Sequence, residues 1–113
     1  MKINDLFGIE GKVAVISGGS RGIGEMIAAG FLANGVKVYI TARKERELHL
    51  KADELSNTYG GECISIASDL STLEGIKAFA DEIKDKEEHI DFLINNAGAA
   101  WACLLYTSPS PRD

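Results

Sequence analysis

The chain has 113 residues, of which 45% are hydrophobic, and its formal net charge is −5 at pH 7. This length suits one small domain, and the apolar content excludes a disordered chain. The negative charge argues against a general nucleic-acid binder, and no apolar stretch is long enough to span a membrane. Cys63 and Cys103 show no metal-like or disulfide-like spacing, and the first residues resemble no secretory signal. We therefore expect a reduced, cytoplasmic protein.

The first third of the chain predicts a strand, a helix and a second strand. Residues 12–17, KVAVIS, form a short apolar run that predicts a strand buried on both faces. From Gly22 onward the apolar residues recur at helical spacing, and we expect this helix to end near Asn34. Residues 36–42 predict the second strand. The predicted core stripe of the helix is Ile23, Met26, Ile27 and Phe31.

The pattern then alternates twice more. A second helix is predicted to end at residues 60–61, and strands are predicted over residues 62–68 and 89–96. Between these strands, Ser71 and Glu74 have the spacing of a capping box that opens a third helix. The predicted core stripe of the second helix is Leu48, Ala52, Leu55 and Tyr59. That of the third helix is Leu73, Ile76, Ala80 and Ile83.

The order β-α-β-α-β-α-β with short loops predicts an α/β protein with parallel strands and right-handed crossovers. We expect a Rossmann-type doubly wound sheet, truncated after about four strands, with the strand order 3-2-1-4. The reversal between strands 1 and 4 would create a crevice at their carboxyl ends, where ligands bind in such sheets.

A glycine-rich turn follows the first strand. Residues 17–24, SGGSRGIG, place Gly18, Gly22 and Gly24 in a G-x-x-x-G-x-G pattern between a strand and a helix. Glycines allow the backbone to approach a pyrophosphate closely, and the amino end of the helix directs free N–H groups towards it. The alternative is that the glycines serve packing alone. The strand-to-helix context favours dinucleotide binding.

The residues after the second strand bear on the choice of dinucleotide. Ala42-Arg43-Lys44 stands where a carboxylate would accept hydrogen bonds from the ribose of NAD. Arg43, with Arg21 in the glycine turn, matches the geometry of a 2′-phosphate and favours NADP(H) over NAD(H). The alternative is that Arg43 and Lys44 are solvated residues that open a helix.

Polar residues also end the third and fourth strands. The carboxylate of Asp69 can accept a hydrogen bond from an adenine amino group while Leu70 packs beside the ring. Asp69 can equally be a helix-terminal acid, and both roles are compatible. Asn95 and Asn96 precede Ala97 and Gly98; small residues let the backbone pass close to a ribose, and Asn side chains can bridge neighbouring strands.

These motifs together resemble the short-chain dehydrogenase/reductase family, of the common single-domain type. The matching segments are SGGSRGIG at 17–24, Asp69-Leu70 and NNAG at 95–98, and the resemblance runs from about Leu6 to Ala102. Ser17 stands where the family more often has Thr. The chain looks closest to NADPH-dependent 3-oxoacyl reductases, although substrate choice in this family lies mostly downstream.

The resemblance implies an oxidoreductase that reduces a carbonyl or oxidises an alcohol of a small molecule, in a parent protein that forms homo-oligomers. It places Arg43 at the 2′-phosphate and Asp69 and Leu70 at the adenine. The residues implied at the cofactor's phosphates are Ser17, Gly18, Ser20, Arg21, Gly22, Ile23 and Gly24. Those implied at the ribose are Asn96, Ala97 and Gly98.

The family's catalytic residues do not occur in this chain. The chemistry of the family uses a Ser and a Tyr-x-x-x-Lys pair beyond the NNAG motif. Tyr39, Tyr59 and Tyr106 are each followed four positions later by a residue other than Lys. We expect the chain to hold only the cofactor-binding half of an enzyme and to be inactive alone. A non-catalytic dinucleotide-binding or redox-sensing module is the alternative.

The last residues, CLLYTSPSPRD at 103–113, differ in character from the rest of the chain and contain its only two prolines. In one reading frame they back-translate to the end of a transposase-type sequencing-library adapter. We therefore expect residues 1–102 to be the native part of a Rossmann domain and residues 103–113 to be a non-native tail. A native Ser/Pro linker is the alternative.

Overall fold

The computed structural model describes residues 9–18 and 22–95. The tail at 103–113 therefore lies outside the described residues. No helix in the described part is long and apolar enough to cross a membrane. The strands are β1 (Val13–Ser17), β2 (Lys37–Ala42), β3 (Cys63–Ala67) and β4 (Phe92–Asn95). The helices are α1 (Gly22–Ala33), α2 (Glu45–Tyr59) and α3 (Leu73–Lys86).

The four strands form one parallel sheet in the order β3-β2-β1-β4, as the sequence predicts. Ser17 at the end of β1 lies opposite Thr41 of β2 and Asn95 of β4. Ala42 at the end of β2 lies opposite Ala67 of β3. The carboxyl ends of all four strands therefore meet along one edge of the sheet.

Helices cover both faces of this sheet. Even-numbered residues of β1 and β2 pack against α1 and α2, and odd-numbered residues pack towards α3, because side chains alternate along a strand. All five residues of β1 are buried, which confirms the prediction of a strand covered on both faces. The core against α1 and α2 includes Ala14, Ile16, Ala28, Leu32, Val38, Ile40, Leu48, Ala52 and Leu55. The core against α3 includes Val13, Val15, Tyr39, Ile66, Ile76, Phe79 and Ile83.

The predicted core stripe of α1 is partly wrong. Gly24, Ala28 and Leu32 are buried against the sheet instead. Ile23 and Met26 are exposed, whereas Ile27 and Phe31 are half-buried and pack against the core. The helix, GIGEMIAAGFLA, is apolar on most of its sides, so the periodicity alone does not identify the buried stripe. The small residues allow the helix to lie close to β1 and β2.

The structure confirms the predicted end of α2, where Gly60 is the C-cap, and corrects the N-cap of α3 by one residue. Leu48, Ala52 and Leu55 of α2 are buried as predicted, but Tyr59 is exposed in the last turn, next to Gly60. The N-cap of α3 is Thr72, whose hydroxyl accepts a hydrogen bond from the N–H of Gly75. The predicted cap, Ser71, instead bonds to the carboxylate of Asp69. The Asp69 carboxylate thus takes the Ser71 N–H that Glu74 would accept in a capping box, and the N-cap is the next residue, Thr72.

The first turn of α3 lies directly against the loop that precedes it. A Cβ added at Gly75 would lie 2.8 Å from the carbonyl carbon of Asp69 and closer still to its oxygen. Backbone atoms cannot yield to such an overlap as a flexible side chain can, so the position requires a residue without a side chain. Gly75 therefore fixes how closely α3 approaches the Asp69 loop.

A partly buried polar cluster holds the other end of α3. The hydroxyl of Tyr39, a residue only 1% exposed, donates to Glu87 Oε2 at 2.6 Å, and Lys37 Nζ lies 2.6 Å from the same oxygen. Burial, and then the bond to Glu87, raises the pKa of Tyr39 to about 12. Burial alone would raise the pKa of Glu87, but the bonds from Lys37 and Tyr39 outweigh it and lower that pKa. The bond to Glu87 raises the pKa of Lys37.

Replacing Tyr39 by Phe should lower the free energy of unfolding by about 1.5–3 kcal/mol near neutral pH, because a buried bond to a charged acceptor is lost. Because folding raises the pKa of Tyr39 above its ordinary value, the stabilisation by the neutral phenol is complete below about pH 10 and disappears as the pH rises towards 12. Urea unfolding across this range should show the two proteins converging. Tyr59→Phe, at an exposed site, is the control, and a difference that stays constant with pH would contradict this account.

Replacing Gly75 by Ala should destabilise the protein by about 1–3 kcal/mol, because the new methyl group overlaps the backbone of Asp69. Gly30→Ala in α1 is the matched control, since a Cβ there meets no heavy atom within 4 Å. That change should stabilise the protein by up to about 1 kcal/mol through helix propensity. Urea unfolding of both variants is the measurement, and equal effects would show that the Asp69 loop does not constrain position 75.

Candidate functional site

An open cleft of about 680 Å³ lies at the carboxyl edge of the sheet. Its walls come from the ends of β1, β2 and β3 and from the loop that leads into α3. The residues that line it are Gly18, Thr41, Ala42, Arg43, Ser68, Asp69, Leu70, Ser71, Thr72, Leu73 and Ile76. The cleft therefore combines a guanidinium, a carboxylate and several hydroxyl groups with an apolar side formed by leucines and an isoleucine.

The end of β1 forms the inner wall of this cleft. The Ser17 side chain is completely buried, and its hydroxyl donates to Asn95 Oδ1 at 3.2 Å, across the β1–β4 pair. This contact confirms that an Asn at the end of β4 bridges neighbouring strands. Gly18 follows with a φ of 69°, and its N–H donates to the Thr41 carbonyl at 2.9 Å. Since few other residues adopt this backbone conformation, Gly18 allows the chain to leave β1 by a tight turn.

The helix α1 begins at the same edge. Gly22 has a φ of 64°, and among the described residues beyond its chain neighbours no heavy atom lies within 4 Å of a Cβ placed on it. Gly24 is buried, whereas Ile23 is 67% exposed. The first N–H groups of a helix have no partner within the helix and carry partial positive charge, which favours an anion at this place.

The ends of β2 and β3 are joined by their own side chains. The hydroxyls of Thr41 and Ser68 are hydrogen-bonded to each other, and the N–H of Ser68 donates to the Ala42 carbonyl at 3.0 Å. Arg43 comes directly after β2, and its side chain is exposed at the cleft. A guanidinium in this position presents a planar set of donors that suits a phosphate group.

Asp69 is held in a defined orientation by the residues that follow it. Its Oδ1 accepts hydrogen bonds from the Ser71 hydroxyl at 2.5 Å and the Ser71 N–H at 3.0 Å. These two bonds, followed by the positive charge of Arg43, lower the pKa of the Asp69 carboxyl. Asp69 is therefore ionised at neutral pH and can accept a hydrogen bond from an amino group in the cleft.

The structure brings together Gly18, Arg43, Asp69 and Leu70, four of the residues predicted to bind a cofactor, in one cleft. It places Ser17 beneath the cleft and the Gly22–Gly24 turn at the same edge of the sheet. The remaining predicted residues lie outside the described part: Ser20, Arg21, Asn96, Ala97 and Gly98. The described residues contain no group of three or more His, Cys, Asp or Glu that could hold a metal ion.

Several residues of the cleft were not predicted. Thr41 and Ser68 were passed over because both belong to the predicted strands, yet each is next to the end of its strand. A hydroxyl at the last positions of a parallel strand is the signal that would have indicated them. Leu73 was assigned to the core of α3, but it lines the cleft. Ser71 was predicted as a helix cap, and it orients Asp69 instead.

Comparison with known proteins finds relatives that belong to one family. Residues 12–109 match the family model for short chain dehydrogenases. A rhamnolipid-biosynthesis 3-oxoacyl-[acyl-carrier-protein] reductase of Pseudomonas aeruginosa is 40% identical over 103 residues, which cover 91% of this chain and 40% of the relative. The chain therefore spans well under half of the length of this relative.

Solved structures show the same fold. The RhlG/NADP active-site complex of Pseudomonas aeruginosa has a TM-score of 0.74 and 40% identity, over 78% of this chain and 35% of that one. The L-sorbose reductase of Gluconobacter frateurii, complexed with NADPH and L-sorbose, has a TM-score of 0.74 and 39% identity, over 80% of this chain and 34% of that one. The matched family model, which covers most of the chain, agrees with the Rossmann-type sheet and its cleft, and the chain therefore belongs to the short-chain dehydrogenase family.

Proposed function

We propose that the protein to which this chain belongs is an NADP(H)-dependent oxidoreductase that interconverts a carbonyl and an alcohol on a small molecule. The observation that carries this proposal is the position of Arg43. It follows β2 directly, where an NAD-binding site would have a carboxylate, and it lines the same cleft as Asp69 and Leu70. The NADP and NADPH complexes among the similar structures support the same cofactor.

The residues of the cleft fit the chemical groups of this cofactor. Arg43 would bind the 2′-phosphate, and the ionised Asp69 would accept a hydrogen bond from the adenine amino group beside Leu70. The Gly18 turn and the amino end of α1 would receive the pyrophosphate, because Gly18 and Gly22 place no side chain in its way. The site residues outside the described part, Ser20, Arg21, Asn96, Ala97 and Gly98, would complete the contacts to phosphate and ribose.

The reaction itself needs groups that this sequence does not contain. The bound cofactor supplies a hydride to the substrate carbonyl. A proton donor must act at the carbonyl oxygen, and no Tyr-x-x-x-Lys pair occurs among the 113 residues. We therefore propose that this chain binds the cofactor and has no turnover of its own. For the whole protein, 3-oxoacyl thioesters are the first substrate class to test.

If Arg43 binds the 2′-phosphate, replacing it should weaken the binding of ligands that have this group and leave other ligands nearly unaffected. Arg43→Ala should weaken binding of adenosine 2′,5′-bisphosphate by about tenfold or more, and binding of 5′-AMP by about twofold or less, because only the first ligand has a 2′-phosphate. Isothermal titration calorimetry at low ionic strength is the measurement. Arg46→Ala removes the same charge from a neighbouring groove that does not share the cleft, and it is the matched control.

Two results would contradict the proposal in different ways. Equal losses for both ligands in Arg43→Ala would show that the arginine does not bind the 2′-phosphate, and the preference for NADP(H) would be wrong.

Sequencing of the source DNA tests the other part of the proposal. A coding sequence that continues past codon 102 into a Ser and a Tyr-x-x-x-Lys pair would support an enzyme and a non-native tail. Genomic DNA that encodes residues 103–113 and then stops would favour the non-catalytic binding module.

A further inference from the structure

One large apolar side chain that lines the cleft is mostly exposed. Leu73 is 62% exposed, although it is the first residue of α3 and falls three positions before the buried Ile76. Thr72 caps the helix, so Leu73 lies in its first turn, directly after the loop that carries Asp69. Leu73 therefore lines the cleft and not the core.

The surroundings of Leu73 are those of a binding surface. Leu70 lies in the preceding turn and Ile76 in the next turn of the helix, and all three line the cleft. The carboxylate of Asp69, held by the Ser71 hydroxyl, and the guanidinium of Arg43 line the same cleft. A flat, largely apolar ring with a hydrogen-bond donor at its rim matches such a combination of apolar and acceptor groups.

We propose that Leu73 is a further cofactor-binding residue. Its side chain packs against the purine base, and Asp69 accepts a hydrogen bond from the amino group of that base. The inference rests on the proposed cofactor function of the cleft, and it assigns a residue that the glycine, arginine and Asp-Leu motifs do not indicate. A leucine that is exposed without ligand gains the free energy of burial only when the base is bound. Leu73 thus contributes to affinity for the base and not to folding.

The experiment uses the 113-residue chain with its leucine methyl groups labelled for NMR, titrated with adenosine 2′,5′-bisphosphate. We expect intermolecular NOEs between the Leu73 methyl protons and the base protons, and about tenfold weaker binding in Leu73→Ala. Leu73→Met, which keeps an apolar side chain of similar size, should restore most of the affinity. Leu50→Ala is the matched control, because Leu50 is an exposed leucine of a helix, 60% exposed, that does not line the cleft.

The outcomes separate this inference from the proposed function. If the unsubstituted chain binds the ligand, but Leu73→Ala binds equally well and no NOE reaches the base, Leu73 is not a binding residue and the cofactor function stands. If the unsubstituted chain does not bind the ligand, both proposals fall. Unchanged urea unfolding of Leu73→Ala together with weakened binding would support the inference, since a structural role would affect stability.

Discussion

The complete burial of the central strand β1 determines how the carboxyl edge of the sheet is built. All five of its residues are buried, and its backbone pairs with β2 on one side and β4 on the other. A polar group at the end of such a strand cannot turn to water, and a buried hydroxyl without a partner would cost about 1–3 kcal/mol. The bond from Ser17 to Asn95 satisfies this requirement, and it also joins the ends of β1 and β4.

The same requirement extends across the neighbouring strands. The Gly18 N–H donates to the Thr41 carbonyl, and the hydroxyl of Thr41 is bonded to that of Ser68. The residues that follow β1 and β3, Gly18 and Ser68, are thus both attached to the end of β2. These bonds hold the ends of the three strands together without a ligand, so binding does not have to order this part of the cleft. The polar contacts that the buried sheet requires therefore also shape the site.

The strands and their order were predictable, because continuous apolar runs with short crossovers allow few arrangements. The buried face of α1 was not predictable, because Ile23 and Ile27 belong to a helix that is apolar on nearly all its sides. Only the packing of this helix on the sheet decides which face is buried. The bond from Tyr39 to Glu87 was not predictable either. It joins residues 48 positions apart, and no local pattern indicates which carboxylate reaches a buried phenol.

The candidate site was likewise predictable only in part. Arg43, Asp69 and Leu70 were predictable because each directly follows a strand, and the ends of parallel strands converge. Leu73 was predicted to lie in the core because it falls three positions before the buried Ile76, and this spacing does not show that the first turn of the helix lines the cleft. Asp69 accepts from the Ser71 N–H and Thr72 from the Gly75 N–H, and the spacing of the residues does not show this division of the hydrogen bonds.

The helix α3 is held at both ends, by backbone packing at one end and by polar side chains at the other. At its amino end, Gly75 packs against the Asp69 backbone, and at its carboxyl end Glu87 bonds to Tyr39 and Lys37. Between these ends its apolar face is buried against the sheet, so the Asp69 loop cannot shift without moving a helix that is fixed elsewhere. Arg43, in contrast, is exposed at the same cleft. The position of Asp69 is therefore fixed by the backbone packing of a helix, whereas that of the Arg43 guanidinium depends on a single long side chain.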